Sequence, residues 1–318
     1  MTTKKWLTVV MAMIVLGTVL IAFSSCSSDS KGSFFISQYE NKVYEVSNDF
    51  EDIVIEVDTA DVYFLVSEVD KCHVVAYTQE KINYDVKVED GELRISVSDD
   101  RAWYEHIKIG IEDSSLCIYL PKSEYKALTL NGSTCDVDLS QNFKFTSIDM
   151  DIGTGDLNLS ASSWGAVKLE TTTGDIKLSN MSAESVSLTL TTGDIELENV
   201  VCSGDVSFKG TTGECKLKNV SCNNLYDEGT TGDVEMENVI ATGKITMDKT
   251  SGDISMYACD AQELDIAIVT GDVKGVLLTP KIFIVRTTTG DIDVPETTTG
   301  GTCKIKTTTG DVIFTIAE

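Results

Sequence analysis

What this chain has little of narrows its function before any motif is read. Its 318 residues include only three Pro, three Trp and two His. Imidazole is the usual acid–base and metal-ligating group near neutral pH, and here only His73 and His106 could supply it. The nine Cys contain no Cys-x-x-Cys pair, so neither a zinc site nor a thiol enzyme is expected. Cys72 beside His73 reads as a pair of strand neighbours. There is no Gly-x-Ser-x-Gly elbow and no phosphate-binding glycine loop. Positive charge is scarce as well: 25 Lys and Arg stand against 51 Asp and Glu, a formal net charge of −26. Nucleic acid and anionic membrane surfaces are therefore not expected as direct partners.

What is abundant is a repeat. The stretch Thr171-Thr172-Thr173-Gly174-Asp175-Ile176-Lys177-Leu178 returns with variations along the chain, its glycine at Gly155, Gly174, Gly193, Gly213, Gly232, Gly252, Gly271, Gly290 and Gly310. Successive glycines are 19 or 20 residues apart, and periods of this size mark repeat architectures.

Aligned on the glycine, the copies give apolar columns. Two residues on stand Leu157, Ile176, Ile195, Cys215, Val234, Ile254, Val273, Ile292 and Val312. Four residues on stand Leu159, Leu178, Leu197, Leu217, Met236, Met256, Gly275, Val294 and Phe314. Seven residues before the next glycine come Val167, Val186, Val206, Leu225, Ile245, Leu264, Phe283 and Cys303. Polar residues alternate with them, so each copy holds two half-buried strands of period 2. Neither strand can bury its apolar face alone; stacking copy on copy does so. The expected fold is all-β, a two-sheet β-solenoid with coils of 19–20 residues.

Other columns make the corners. Gly allows positive φ, and the acid after it can accept a turn N–H: Asp156, Asp175, Asp194, Glu214, Asp233, Asp253, Asp272, Asp291 and Asp311. A second corner carries Asn180, Asn199, Asn219 and Asn238, which tolerate the left-handed region and can stack their amides. Three residues later Ala183, Cys202, Cys222 and Ala241 form a small-residue column, where the two Cys are expected as buried thiols.

These columns are read as structural. Acids about 5 Å apart match the spacing of retaining glycosidases, but here that spacing recurs at every coil. A calcium solenoid needs a Gly-Gly-x-Gly-x-Asp nonapeptide, about half this period. The Thr rows at 171–173, 191–192, 211–212, 287–289 and 307–309 suit a solvated β surface. No catalytic residue, metal or cofactor is expected.

The rest of the chain divides around the array. In residues 1–25, Lys4 and Lys5 precede an apolar run from Trp6 to Phe23, then Ser24, Ser25 and Cys26. This resembles a bacterial lipoprotein export signal with Cys26 lipidated; an uncleaved anchor and a secreted form are the alternatives. Each places the folded part outside the cytoplasmic membrane. Residues 26–42 read as a polar tether and 43–126 as an irregular β region that caps the first solenoid edge. In that region Ile53, Ile55, Val62 and Phe64 form a degenerate repeat with Ala60 in the glycine's place, Gly91 marks a hairpin, and a strand is expected at 107–111. Residues 127–318 form the regular array. Val312, Phe314 and Ile316 are expected as its last strand, an edge either open or covered by another chain, so self-association through it is an expected partner mode.

The Thr-Gly-Asp-Ile repeats and the leader Ile118-Tyr119-Leu120-Pro121-Lys122 resemble the bacterial putative-adhesin family of β-strand repeat proteins, a domain of unknown function. The resemblance covers roughly 43–318. It implies an extracytoplasmic β-solenoid, adhesion by name, and for some relatives a link to envelope stress; it brings no catalytic residues. The reading is a surface-tethered, non-enzymatic adhesin or cell-envelope interaction module whose ligand is a protein or glycan. The alternatives are an envelope-stress sensor that binds cationic peptides or a membrane partner, and a carbohydrate-active β-helix enzyme, which lacks a singular acid–base cluster.

Overall fold

The computed structural model describes residues 40–78, 82–100 and 114–317. The export segment, Cys26, His106 and the strand expected at 107–111 lie outside the described residues. The strands begin with β1 (Glu40–Glu45), β2 (Asp52–Thr59), β3 (Asp61–Val66), β4 (His73–Thr78), β5 (Ile82–Glu89), β6 (Glu92–Asp99) and β7 (Ser115–Leu120). The array follows with β8 (Ala127–Thr134), β9 (Val137–Leu139), β10 (Lys144–Phe145), β11 (Ser147–Thr154), β12 (Leu157–Leu159), β13 (Ser162–Ser163), β14 (Ala166–Thr173), β15 (Ile176–Ala183), β16 (Ser185–Thr192) and β17 (Ile195–Cys202). It continues through β18 (Val206–Thr212), β19 (Cys215–Cys222), β20 (Leu225–Thr231), β21 (Val234–Ser251) and β22 (Ile254–Thr270). Last come β23 (Val273–Leu277), β24 (Lys281–Arg286), β25 (Ile292–Asp293), β26 (Gly301–Lys306) and β27 (Val312–Ile316).

One coil shows the logic. In β14 the alternation sends Val167, Leu169 and Thr171 inward, and β15 buries Ile176 and Leu178. Asn180, at φ 53°, then bends β15, so its last three residues form a short third side that buries Met181 and Ala183. Each strand pairs in parallel with its equivalent one coil on, setting Val167 beside Val186 and Ile176 beside Ile195. Burying such a side chain is worth about 1.5–3 kcal/mol, and here the neighbouring coil supplies the cover. The result is the β-solenoid that the period predicts.

Coil order departs from chain order at both ends. The β2–β3 coil is second from the N-terminal end, since β2 lies between β6 and β8 and β3 between β7 and β9. The outer β6–β7 coil is covered by antiparallel strands, β5 on β6, β4 on β7 and β1 on β4. The hairpin of β5 and β6 turns at Asp90 and Gly91, both at positive φ.

At the other end, β26 lies between β22 and β24, and β27 lies between β23 and β25. The expectation that Val312, Phe314 and Ile316 form the final edge is therefore corrected: they are inside, and the coil of β24 and β25 is outermost. Two contacts select this order. Phe314 packs over Gly275, where a Cβ would come within 2.4 Å of the ring, so only a glycine leaves room for it. Gly301 passes so close to Gln262 that a Cβ would stand 1.7 Å from that carbonyl oxygen. The buried Lys281 ammonium then ties the outermost coil to Asp260 at 2.5 Å.

Candidate functional site

The residues singled out by the repeat converge on two corners and act on the backbone. Each corner glycine from Gly155 to Gly310 has φ between 130° and 148°. A Cβ on Gly193 would stand 2.0 Å from the carbonyl oxygen of Gly174, so stacking demands glycine as much as φ does. Each Asp of the next column except Asp291, on the outermost coil, spends one carboxylate oxygen on the neighbouring coil. Asp156 Oδ1 accepts the N–H of Asp175 at 2.8 Å, Asp175 that of Asp194 at 2.8 Å, and Asp194 that of Glu214 at 2.8 Å. Beyond Glu214 the ladder resumes: Asp233 accepts from Asp253, Asp253 from Asp272, Asp272 from Asp311 and Asp311 from Asp291, at 2.7–2.9 Å. Glu214, one methylene longer, turns instead to Lys216 at 2.5 Å. The expected turn bonding is thus corrected in one respect: the donor belongs to the next coil, not to the local Thr-Gly turn. Asp61 and Asp136 extend the column toward the N-terminal end.

The Asn corner behaves likewise. Asn180, Asn199, Asn219 and Asn238 hold φ of 53–55°, and the amides of Asn199, Asn219 and Asn238 each donate to the Oδ1 one coil before, at 2.8–2.9 Å. Ala258 continues this column at φ 53° with no amide. In the small-residue column Cys202 and Cys222 are buried free thiols, and burial pushes them up to about 11 and about 12. Groups of this kind are poor nucleophiles. Among the described residues no group of three or more His, Cys, Asp and Glu side chains is placed to hold a metal ion.

Two features stand outside the repeat. The first is internal. Asp227 occupies the core column of Phe208 and Met247, and Lys249 reaches it at 3.6 Å, both almost wholly buried. Gly210 and Gly229 clear the space; a Cβ on Gly229 would meet Lys249 Nζ at 3.3 Å. Beside them Cys215 and Leu190 line a cavity of about 20 Å³, the scale of one water molecule. Burial raises the Asp227 carboxyl above its ordinary value, and Lys249 offsets that only in part. The signal was present in the sequence, because Asp227 breaks an apolar column.

The second feature is an open groove of about 800 Å³ on the sheet that follows the glycine corner. Its outward side chains alternate in sign coil by coil: Glu196 and Glu198, then Lys216 and Lys218, then Glu235 and Glu237. Lys218 pairs with Glu237 at 3.2 Å, while Glu198 and Glu235 make no ion pair among the described residues. The pattern then changes to Ser255 and Tyr257, Lys274 and Val276, Ile313 and Thr315. Tyr257 is 63% exposed, beside Glu237 on one coil and Val276 on the next. Repeat logic missed this groove because the columns that form it are those that vary.

The Toastrack DUF4097 family model matches residues 50–208 and 201–318, most of the chain. No curated protein matches. Among solved structures, a putative adhesin from Parabacteroides distasonis shares 11% identity over 88% of this chain and 98% of its own, with a TM-score of 0.49. A putative adhesin from Bacteroides fragilis shares 16% over 87% and 97%, with a TM-score of 0.42. A putative lipid binding protein from Parabacteroides distasonis also shares 16% over 87% and 97%, with a TM-score of 0.43.

Proposed function

We propose that this chain, which belongs to the Toastrack DUF4097 family, is a surface-tethered, non-enzymatic β-solenoid whose groove binds a protein or glycan of another surface or of the envelope. The observation that carries the reading is the groove itself, with Tyr257 held open to solvent between acidic and aliphatic neighbours on a rigid ladder. An exposed aromatic ring on a fixed backbone offers a stacking face for sugar rings, aliphatic chains or cations at little entropic cost. The repeated acids support the same reading, since they hold coil to coil and do not converge on a reacting centre. Tethering rests on Cys26 and the apolar run before it.

Glu198 and Glu235 favour a second reading, a regulatory scaffold that takes cationic peptides as part of an envelope-stress response. Deletion of the gene, complemented with wild type or Tyr257→Ala, separates the two. Adhesion predicts that deletion lowers surface attachment and that Tyr257→Ala fails to restore it. A changed stress response with unchanged attachment would favour the scaffold. Full restoration of attachment by Tyr257→Ala would remove the groove from the account.

A further inference from the structure

We propose that a second copy of this chain docks end to end on the outermost coil, β24–β25, through a two-fold axis. Among the described residues β24 pairs only with β26 and β25 only with β27, so each keeps one unpaired edge. The core is open there as well. Cys303, Ile305, Val312 and Phe314 of the coil beneath are at most 2% exposed, whereas Ile292 of the outermost coil is 48% exposed. Ile282 and Ile284 add 37% and 46% exposure on the outer side of β24. At the N-terminal end the outermost strands are β5 and β1, which run antiparallel to the strands they join, so that end is not equivalent to this one. A head-to-tail stack would therefore set unlike ends together, and a two-fold pairing sets like ends together and closes after two copies.

Charge identifies the occupant. In a chain of net charge −26, the β24 rim gathers Arg286, Lys304 and Lys306, all exposed and without an ion pair among the described residues. The β25 rim carries Asp291, Asp293 and Glu296, also exposed. One end of the solenoid is thus basic on one side and acidic on the other. A two-fold axis running along the strands lays the β24 of each copy over the β25 of the other. It pairs opposite charges, apposes Phe283 and Val285 to Ile292 and Val294, and continues both sheets with antiparallel hydrogen bonds. The perpendicular two-fold would set acid on acid, which is unfavourable directly across a ladder.

The test is sedimentation of the full chain in detergent micelles, from nanomolar to high micromolar protein. Wild type is expected to pass from monomer to dimer. Arg286→Glu and Asp293→Arg, each alone, should weaken the dimer by roughly tenfold or more through like-charge contact. The double variant, which restores opposite charges, should recover it. Both residues are exposed, so unchanged circular dichroism and melting verify that each variant folds. A chain that stays monomeric throughout overturns the proposal, as does a dimer indifferent to either single reversal or not recovered in the double variant.

Discussion

Replacing Ala258 with Asn should stabilise the protein, and the amount follows from the corner it occupies. The Asn column holds φ near 54° through Asn238, and Ala258 takes φ 53° without the side chain that suits it. An alanine in the left-handed region costs about 1 kcal/mol, and Asn removes much of that because its polar side chain bonds locally. Asn238 is the last donor of the amide ladder, giving its N–H to Asn219 Oδ1, which leaves its own Oδ1 as the next acceptor in line; Tyr257 lies in register with Glu237, which places residue 258 over Asn238. A new amide–amide bond adds about 0.5–1 kcal/mol at an exposed site. Together Ala258→Asn should gain about 1–1.5 kcal/mol, or about 2–5 °C in melting temperature for a chain of this size. Ala258→Gly separates the two contributions. It relieves φ but adds about 0.5–1 kcal/mol of backbone entropy cost, so it should end near wild type. Thermal and urea denaturation of the three proteins provide the assay. If Ala258→Gly matches or exceeds Ala258→Asn, the ladder contributes nothing and the reasoning fails.

Other expectations are as direct. Asn at Asp194 or Asp253 keeps the acceptor and sheds repulsion, so it should be nearly neutral, while Ala at either should cost about 1 kcal/mol in urea titration; millimolar calcium should leave the melting temperature unchanged. Lys249→Met leaves Asp227 buried without its counter-charge and should cost about 3–5 kcal/mol near neutral pH, with Asp227→Leu in the same chain recovering most of it. Because the folded carboxyl of Asp227 lies above its unfolded value, Lys249→Met should lose stability as pH rises from about 3.8 through the folded pKa, and regain it on acidification across the same window; a flat pH profile would contradict this. Intact mass of membrane-extracted protein should show a diacylated Cys26 as the first residue, and a retained Met1 would establish an uncleaved anchor. A non-reducing peptide map should find Cys202 and Cys222 as free thiols.

Much of the fold was legible because a repeat states each contact many times. Ile176, Ile195 and Cys215 share a column, and the structure sets them one above another in register. Gly and Asn at fixed offsets named both corners, since few residues accept positive φ there. Partners across coils were harder to read. The acid's donor turned out to be the next coil's N–H, because residues 19 or 20 apart in the chain become neighbours only after stacking. The groove around Tyr257 escaped for a related reason: Glu237, Tyr257 and Val276 meet only across coils and share no residue type.

The sequence by itself determined the coil, since alternation, corner glycines and column composition are local or periodic and any matching pair of coils can stack. That interchangeability is also why it could not determine coil order. β23 presents much the same columns to β25 as to β27, so chain adjacency alone would not choose between them. Tertiary packing chose: Phe314 needs the space over Gly275, Gly301 needs the close approach to Gln262, and Lys281 needs Asp260. Those contacts place β26 and β27 inside and leave β24 and β25 as the outermost coil of the described array at this end.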